Sequence, residues 1–224
     1  MQTETRAPNN LLIAIGLAIA LGLPFTHFSI LGKTYTGLGP LWGGEAAWVA
    51  FFLVILLYVR LVERRPLSSI GFRRPGVLDI ALGVAAMFLI VAGDAGISRI
   101  DAIFHLQVKS QITALFATPF WYRVFVVTRA AVVEETAFRG YGFERLAELS
   151  GSRWLAAVVT FALFTLAHYP GGGLALAFAA ACGGLFLTLL YLWRRNLWAT
   201  IAAHWLTDAV GLLLIPALQH AAQH

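Results

Sequence analysis

Three apolar stretches of the chain each carry residues able to move protons. Glu134 and Glu135 stand side by side with Arg139 four residues on, in Val-Val-Glu134-Glu135-Thr-Ala-Phe-Arg139-Gly. His168 follows Phe164 at the same spacing, and His204 precedes Asp208 by four residues in His204-Trp-Leu-Thr-Asp208. Residues four apart share one face of a helix, so Glu135 and Arg139, in the favourable acid-first order, neutralise each other. That leaves Glu134 about 100° round the same helix, free to face a polar cavity. A carboxylate with no cation of its own in a low dielectric suits a general base. His168 and the His204/Asp208 pair can then surround one water and one peptide carbonyl.

Such residues are costly where they stand. An ionisable side chain deep in a membrane helix costs about 2.5 to 3.5 kcal/mol, so a cluster on three apolar helices points to function. The chain has 224 residues, 59% apolar and only 12% charged, with a mean hydropathy of +0.78. A soluble domain carries roughly 25% charged residues. The expected architecture is therefore all-α: one integral membrane domain over residues 1–224, a polytopic helical bundle with its active site inside the membrane.

Hydropathy places helices at about 11–31, 46–62, 77–98, 120–148, 153–168, 173–193 and 197–217, seven spans in all. The segment from Ile100 to Pro119, with Asp101, His105, Lys109 and Gln111 among apolar residues, reads as an interfacial helix; if it crosses, the spans number eight. The first apolar run is too long for a cleaved signal and reads as a retained helix. One cysteine, Cys182, excludes an intrachain disulfide and zinc-finger spacing. The net charge of +5 forms no basic, aromatic-interleaved face, which excludes nucleic acid as a partner. The arginines instead punctuate apolar runs. Arg6, Arg60, Arg64, Arg65, Arg73, Arg74, Arg145, Arg153, Arg194 and Arg195 fall on one side of a seven-span chain, which the positive-inside rule makes cytoplasmic.

Rise per residue puts Glu134 about 17 Å from Arg145, His168 about 22 Å from Arg153 and His204 about 13 Å from Arg195 along their helices. With tilt, all three can share one level, reached by water from the cytoplasmic side. Ala177 with Ala181, and Ala180 with Gly184, read as close helix contacts, and Gly171-Gly172-Gly173 as a tight connection. His27, His105 and the tail residues His220 and His224 carry no expected role. Asp79, Asp94 and Arg129 read as structural pairing or helix-end residues.

The ordered motifs EExxxR (Glu134, Glu135, Arg139), FxxxH (Phe164, His168) and HxxxN/D (His204, Asp208) resemble those of the CAAX prenyl protease and bacteriocin-processing (CPBP, or Abi) family of intramembrane proteases. The resemblance covers about residues 120–215; the first 118 residues carry no family motif. It implies an endopeptidase acting on membrane-associated or prenylated CAAX-like substrates. Glu134 and His168 would activate the water, and His204 and Asp208 would face the oxyanion. Glu135, Arg139 and Phe164 would support them. Members are often labelled metalloproteases, and two His with two acids make Zn²⁺ conceivable as a cofactor. Yet no HExxH or paired-His helix is present, and a glutamate mechanism with no metal and no other cofactor is the preferred expectation. An ionised Asp208 cannot donate to an oxyanion, so it is expected to orient and charge His204.

The expected partners are a peptide or protein substrate at the membrane and the lipid bilayer. The expected setting is the cell membrane of a prokaryote, with the site open to the cytoplasmic side. Oligomeric state and substrate identity stay open. Two other functions use the same residues. A proton-coupled transporter also needs Glu, His and Asp on facing helices, although no internal repeat is evident. A non-catalytic immunity or scaffold protein of the same family is the other.

Overall fold

The computed structural model describes residues 9–25, 38–106 and 115–222, which are helical with no strand among them. Arg6, His27, Lys33, Lys109, Gln111 and His224 lie outside the described residues. So do the end of the expected first helix beyond Phe25 and the middle of the expected interfacial helix, residues 107–114. Six helical rods follow in order: α1, Asn10–Phe25; α2, 38–62; α3, Val77–Ile103; α4, 120–150; α5, Arg153–Arg194; and α6, 197–221. A single turn of 3₁₀-helix, Leu67–Ile70, lies in the loop between α2 and α3.

The boundaries follow local chemistry. Asn9, Ser152 and Asn196 each accept a backbone N–H in the first turn of α1, α5 and α6, supplying donors there with the partner that a helix start lacks. Helix α4 ends at Gly151, whose φ of 69° is left-handed and stops the helix without a Cβ clash. Helix α3 runs on to Ile103, five residues past its expected end. Helix α2 starts eight residues before its expected start.

The expected helices 153–168 and 173–193 are the two arms of α5, and the first continues helically to the Gly173 break. Gly173 has φ 72° and ψ −157°, values that a side chain resists. There the chain reverses. Phe164 and Gly184, about 30 Å apart in a straight helix of that length, lie in contact. Each arm is about 20 residues, long enough to cross the hydrocarbon.

By length and composition, four helices among the described residues are candidate membrane spans: Gly44–Val62, Val77–Ile103, Arg153–Arg194 and Leu197–Leu218. The difference from seven has physical causes. The α5 hairpin counts once, α4 is too rich in charge to qualify, and α1 is short over its described residues. Leu53, Leu57, Phe88, Leu89, Val158 and Leu189 are exposed on these rods, as befits lipid-facing side chains.

Ion pairs gather the polar ends of the helices. Arg145 binds Glu63 (Nη2–Oε2 2.5 Å), Arg194 binds Asp79 (2.8 Å), and Arg195 pairs with Glu144. Arg65 forks onto Glu148 at 2.6 and 2.8 Å and holds that carboxyl below its usual range. The loop 63–74 and the turn at Arg194–Arg195 are also joined by Leu197 N–H to Gly71 O (2.9 Å). Both therefore sit at one end of the bundle. Asp79 has the structural role expected of it, bonding Gly76 N, Arg194 and Asn196.

Candidate active site

Between Ala131 and Phe143 the helix α4 changes its hydrogen bonding. Residues Glu135–Gly142 form a π-type stretch in which every residue is buried. Shorter stretches of the same kind occur at Ala18–Gly22, Tyr58–Val62 and Val210–Leu214, and among the described residues this one stands out by being the longest of the four and buried throughout. Glu134 is the last residue of ordinary α-helix before it, and Glu135 the first within it. The two neighbouring carboxylates point to different partners.

Glu135 is fully buried and does the structural work. Its Oε1 accepts from Arg139 Nη1 and from His204 Nδ1, both at 3.0 Å. Arg139, itself fully buried, donates from Nη2 to the carbonyl of Gly184 (3.1 Å), and its guanidinium lies 4.0 Å from the centre of the Phe164 ring. Gly184 is part of this seat. A Cβ there would come within 3.0 Å of Phe164 Cδ1 and 3.3 Å of Arg139 Nη2, so a close helix contact doubles as room for the arginine.

Glu134 faces the first arm of α5. Its Oε2 is 3.6 Å from His168 Nε2 and is buried with no hydrogen-bond partner. His168 Nδ1 is 2.7 Å from Phe164 O. A carbonyl only accepts, so Nδ1 carries a proton and Nε2 is the nitrogen turned toward Glu134. In a neutral ring Nε2 is an acceptor, so two acceptors then face one gap, which a water satisfies by donating one hydrogen to each. Glu134 also has a cation nearby, contrary to expectation: Arg129 Nη1 stands 3.9 Å from its Oε1. Sequence spacing misses that contact because it is i, i+5.

His204 completes the arrangement from α6. Glu135 holds its Nδ1, and Asp208 Oδ2 lies 3.5 Å from its Nε2. The hydrogen bond that orients this ring thus comes from Glu135, a job expected of Asp208. Phe164 packs between the two histidines, 4.5 Å from the His168 ring and 6.3 Å from that of His204. A half-open cavity of ≈ 130 Å³ is lined by Phe164, His168, His204, Thr207 and Asp208, with Ala180, Gly184 and Leu187 opposite. Asp94 of α3 is on the same wall, with one carboxylate oxygen buried and unpartnered. Its expected structural pairing is absent: no ion pair reaches it among the described residues. Its one sequence signal is being an acid well inside an apolar helix.

Glu45 of α2 escapes sequence reasoning altogether. It binds Arg129 through two bonds, Nε–Oε2 at 2.6 Å and Nη2–Oε1 at 2.9 Å. The signal for it was a lone acid at the head of a span whose one other charge, Arg60, stands near its far end.

Zinc is a poor fit to these donors. A catalytic Zn²⁺ takes three protein ligands at about 2.0 to 2.3 Å, and among the described residues no three His, Cys, Asp or Glu side chains converge on one point.

No curated protein and no solved structure matches the chain. A family model does match residues 116–210, and its description is type II CAAX prenyl endopeptidase Rce1-like. That agrees with the family that the three motifs resemble, and the matched segment holds Glu134, His168, His204 and Asp208.

Proposed function

We propose that the chain is an intramembrane endopeptidase that hydrolyses peptide bonds of membrane-associated or prenylated CAAX-like substrates by a glutamate-activated water, without a metal. The observation that carries this reading is the gap between Glu134 Oε2, buried with no hydrogen-bond partner, and Nε2 of His168, a residue that lines the cavity. A water donating to both has its own lone pair free to attack a carbonyl carbon. As the C–O bond forms, its proton passes to Glu134 and the carbonyl oxygen becomes an oxyanion. His204, anchored at Nδ1 by Glu135, presents Nε2–H to that oxyanion as an imidazolium. Asp208, 3.5 Å from that nitrogen, supports the positive charge. Collapse of the intermediate breaks the C–N bond, and Glu134 returns its proton to the leaving amine, giving a carboxylic acid and an amine; the acid's proton then passes back to Glu134 or to solvent.

Supporting the substrate class are the family description and the apolar, membrane-like exterior around a half-open cavity. The site is proposed to open toward the cytoplasmic side of a cell membrane, from the arginine bias of the loops. The test is cleavage of prenylated and unprenylated peptide libraries by the purified, detergent-solubilised protein, with mass spectrometry of the products. Specific cleavage that Glu134→Gln abolishes is the expected result. No cleavage by the wild type, or equal cleavage by the variant, overturns the reading.

A further inference from the structure

Arg129 stands between two carboxylates from different helices and shares itself unequally. Two of its nitrogens grip Glu45 of α2 at 2.6 and 2.9 Å, while the third, Nη1, is held back at 3.9 Å from Glu134. The three side chains are only 11 to 15% exposed, so water screens the cation weakly. Its face is packed by Trp48, 5.5 Å from the guanidinium carbon.

The split matters for a base. A guanidinium that turned its fork onto Glu134 would occupy the lone pairs that must take a proton. An opposite charge that close lowers a carboxyl's proton affinity by about 1 to 3 pH units. The other titratable or charged groups facing Glu134 are His168 from α5, His204 and Asp208 from α6, and Arg139 from its own helix. Arg139 is bound to Glu135 and the Gly184 carbonyl, and His204 is bound to Glu135. Arg129 is the nearby cation that can change partner.

We infer that Glu45 is a positioning residue that holds the Arg129 guanidinium off Glu134 and so keeps the base free for the water. The inference rests on the proposed role of Glu134 as base. It also lies beyond the family match, since Glu45 precedes residue 116.

The experiment measures kcat/KM against pH for the full chain in detergent, with Glu45→Gln, Glu45→Asp and the double variant Glu45→Gln/Arg129→Gln. In Glu45→Gln the freed arginine pairs with Glu134. Turnover at neutral pH falls at least about tenfold, and the acid limb moves down by about 1 to 3 pH units. Glu45→Asp keeps a carboxylate on Arg129 and stays nearer the wild-type profile. The double variant removes the quenching cation, so its rate returns to within about threefold of wild type, with the acid limb at or above the wild-type position.

An unmoved acid limb in Glu45→Gln, or a folded double variant as slow as the single, overturns the inference. If Glu45→Gln fails to fold, the double variant decides: active with an unlowered limb, it supports the inference, and a double variant that cannot fold makes the pair structural and overturns it. A wild type that cleaves nothing fails the protease reading instead. The inference is then read from the infrared carboxyl band of Glu134, assigned by its loss in Glu134→Gln; it titrates at lower pH in Glu45→Gln if the inference holds and unchanged if it fails.

Discussion

Adjacent glutamates with opposite duties make a sharp pair of perturbations. Glu135→Gln removes the charge that a fully buried Arg139 and the His204 ring both lean on, each at 3.0 Å. Breaking one side of a buried ion pair typically costs about 3 to 5 kcal/mol. The Gly184 carbonyl and the Phe164 face still hold the guanidinium, and Gln can still accept one bond, so the lower end of that range applies here. Against a total stability of about 5 to 15 kcal/mol this is a large fraction, and a melting temperature lower by roughly 10 °C is expected. Glu134→Gln loses far less, because its Oε2 has no hydrogen bond to lose. Its new amide N–H even faces the His168 Nε2 lone pair at a distance of 3.6 Å, which a small shift closes. Stability unchanged, or raised by up to about 1 kcal/mol, follows. Turnover, however, should fall by at least about a hundredfold, since an amide cannot take the water's proton. Thermal melts followed by intrinsic fluorescence, beside peptide cleavage rates, read both quantities. A stable Glu135→Gln with a destabilised but active Glu134→Gln would refute the division of labour.

Other expectations are quick to check. Exhaustive chelation should leave cleavage within about twofold, as no Lewis acid is removed, whereas stoichiometric zinc tracking with activity in elemental analysis would replace the mechanism. Asp208→Asn should leave His204 in place, held by Glu135, but remove charge beside its Nε2; the imidazolium is then lost sooner and the alkaline limb of the rate profile moves to lower pH. An unchanged profile would rule out a charge role for Asp208. Gly184→Ala should cost about 1 to 2 kcal/mol, read by melting, because the added Cβ meets Phe164 at 3.0 Å and that ring is wedged between Phe138 and His168; a wild-type melt would refute it. Single cysteines placed in loop 63–74 and at Arg194–Arg195, in a Cys182→Ala background, should label together and from the cytoplasmic side. Labelling from opposite sides would contradict the shared end of the bundle.

What spacing along one helix can encode, the sequence displays. Glu135 with Arg139 and His204 with Asp208 are i, i+4 pairs, and they meet as that spacing requires. The Pro-Gly-Gly-Gly turn marks the α5 reversal, though the helix persists to Gly172, because only Gly173 takes the left-handed backbone. The π-type stretch leaves no trace in a 3.6-residue pattern: its eight residues are buried all round, so no solvent-facing stripe reports the change of period. Contacts between helices are a different matter. His204 with Glu135 and Glu45 with Arg129 are 69 and 84 residues apart, and their meeting depends on how helices cross, which no single-helix period contains. The same limit explains Asp94, an acid whose cavity wall exists only once α3 packs beside α5 and α6. Motifs thus expose the groups proposed to react, because each sits in a short pattern along one helix. The groups that restrain them arrive from other helices, so Glu45 becomes visible only when the distance from Arg129 to each of its two carboxylates can be compared.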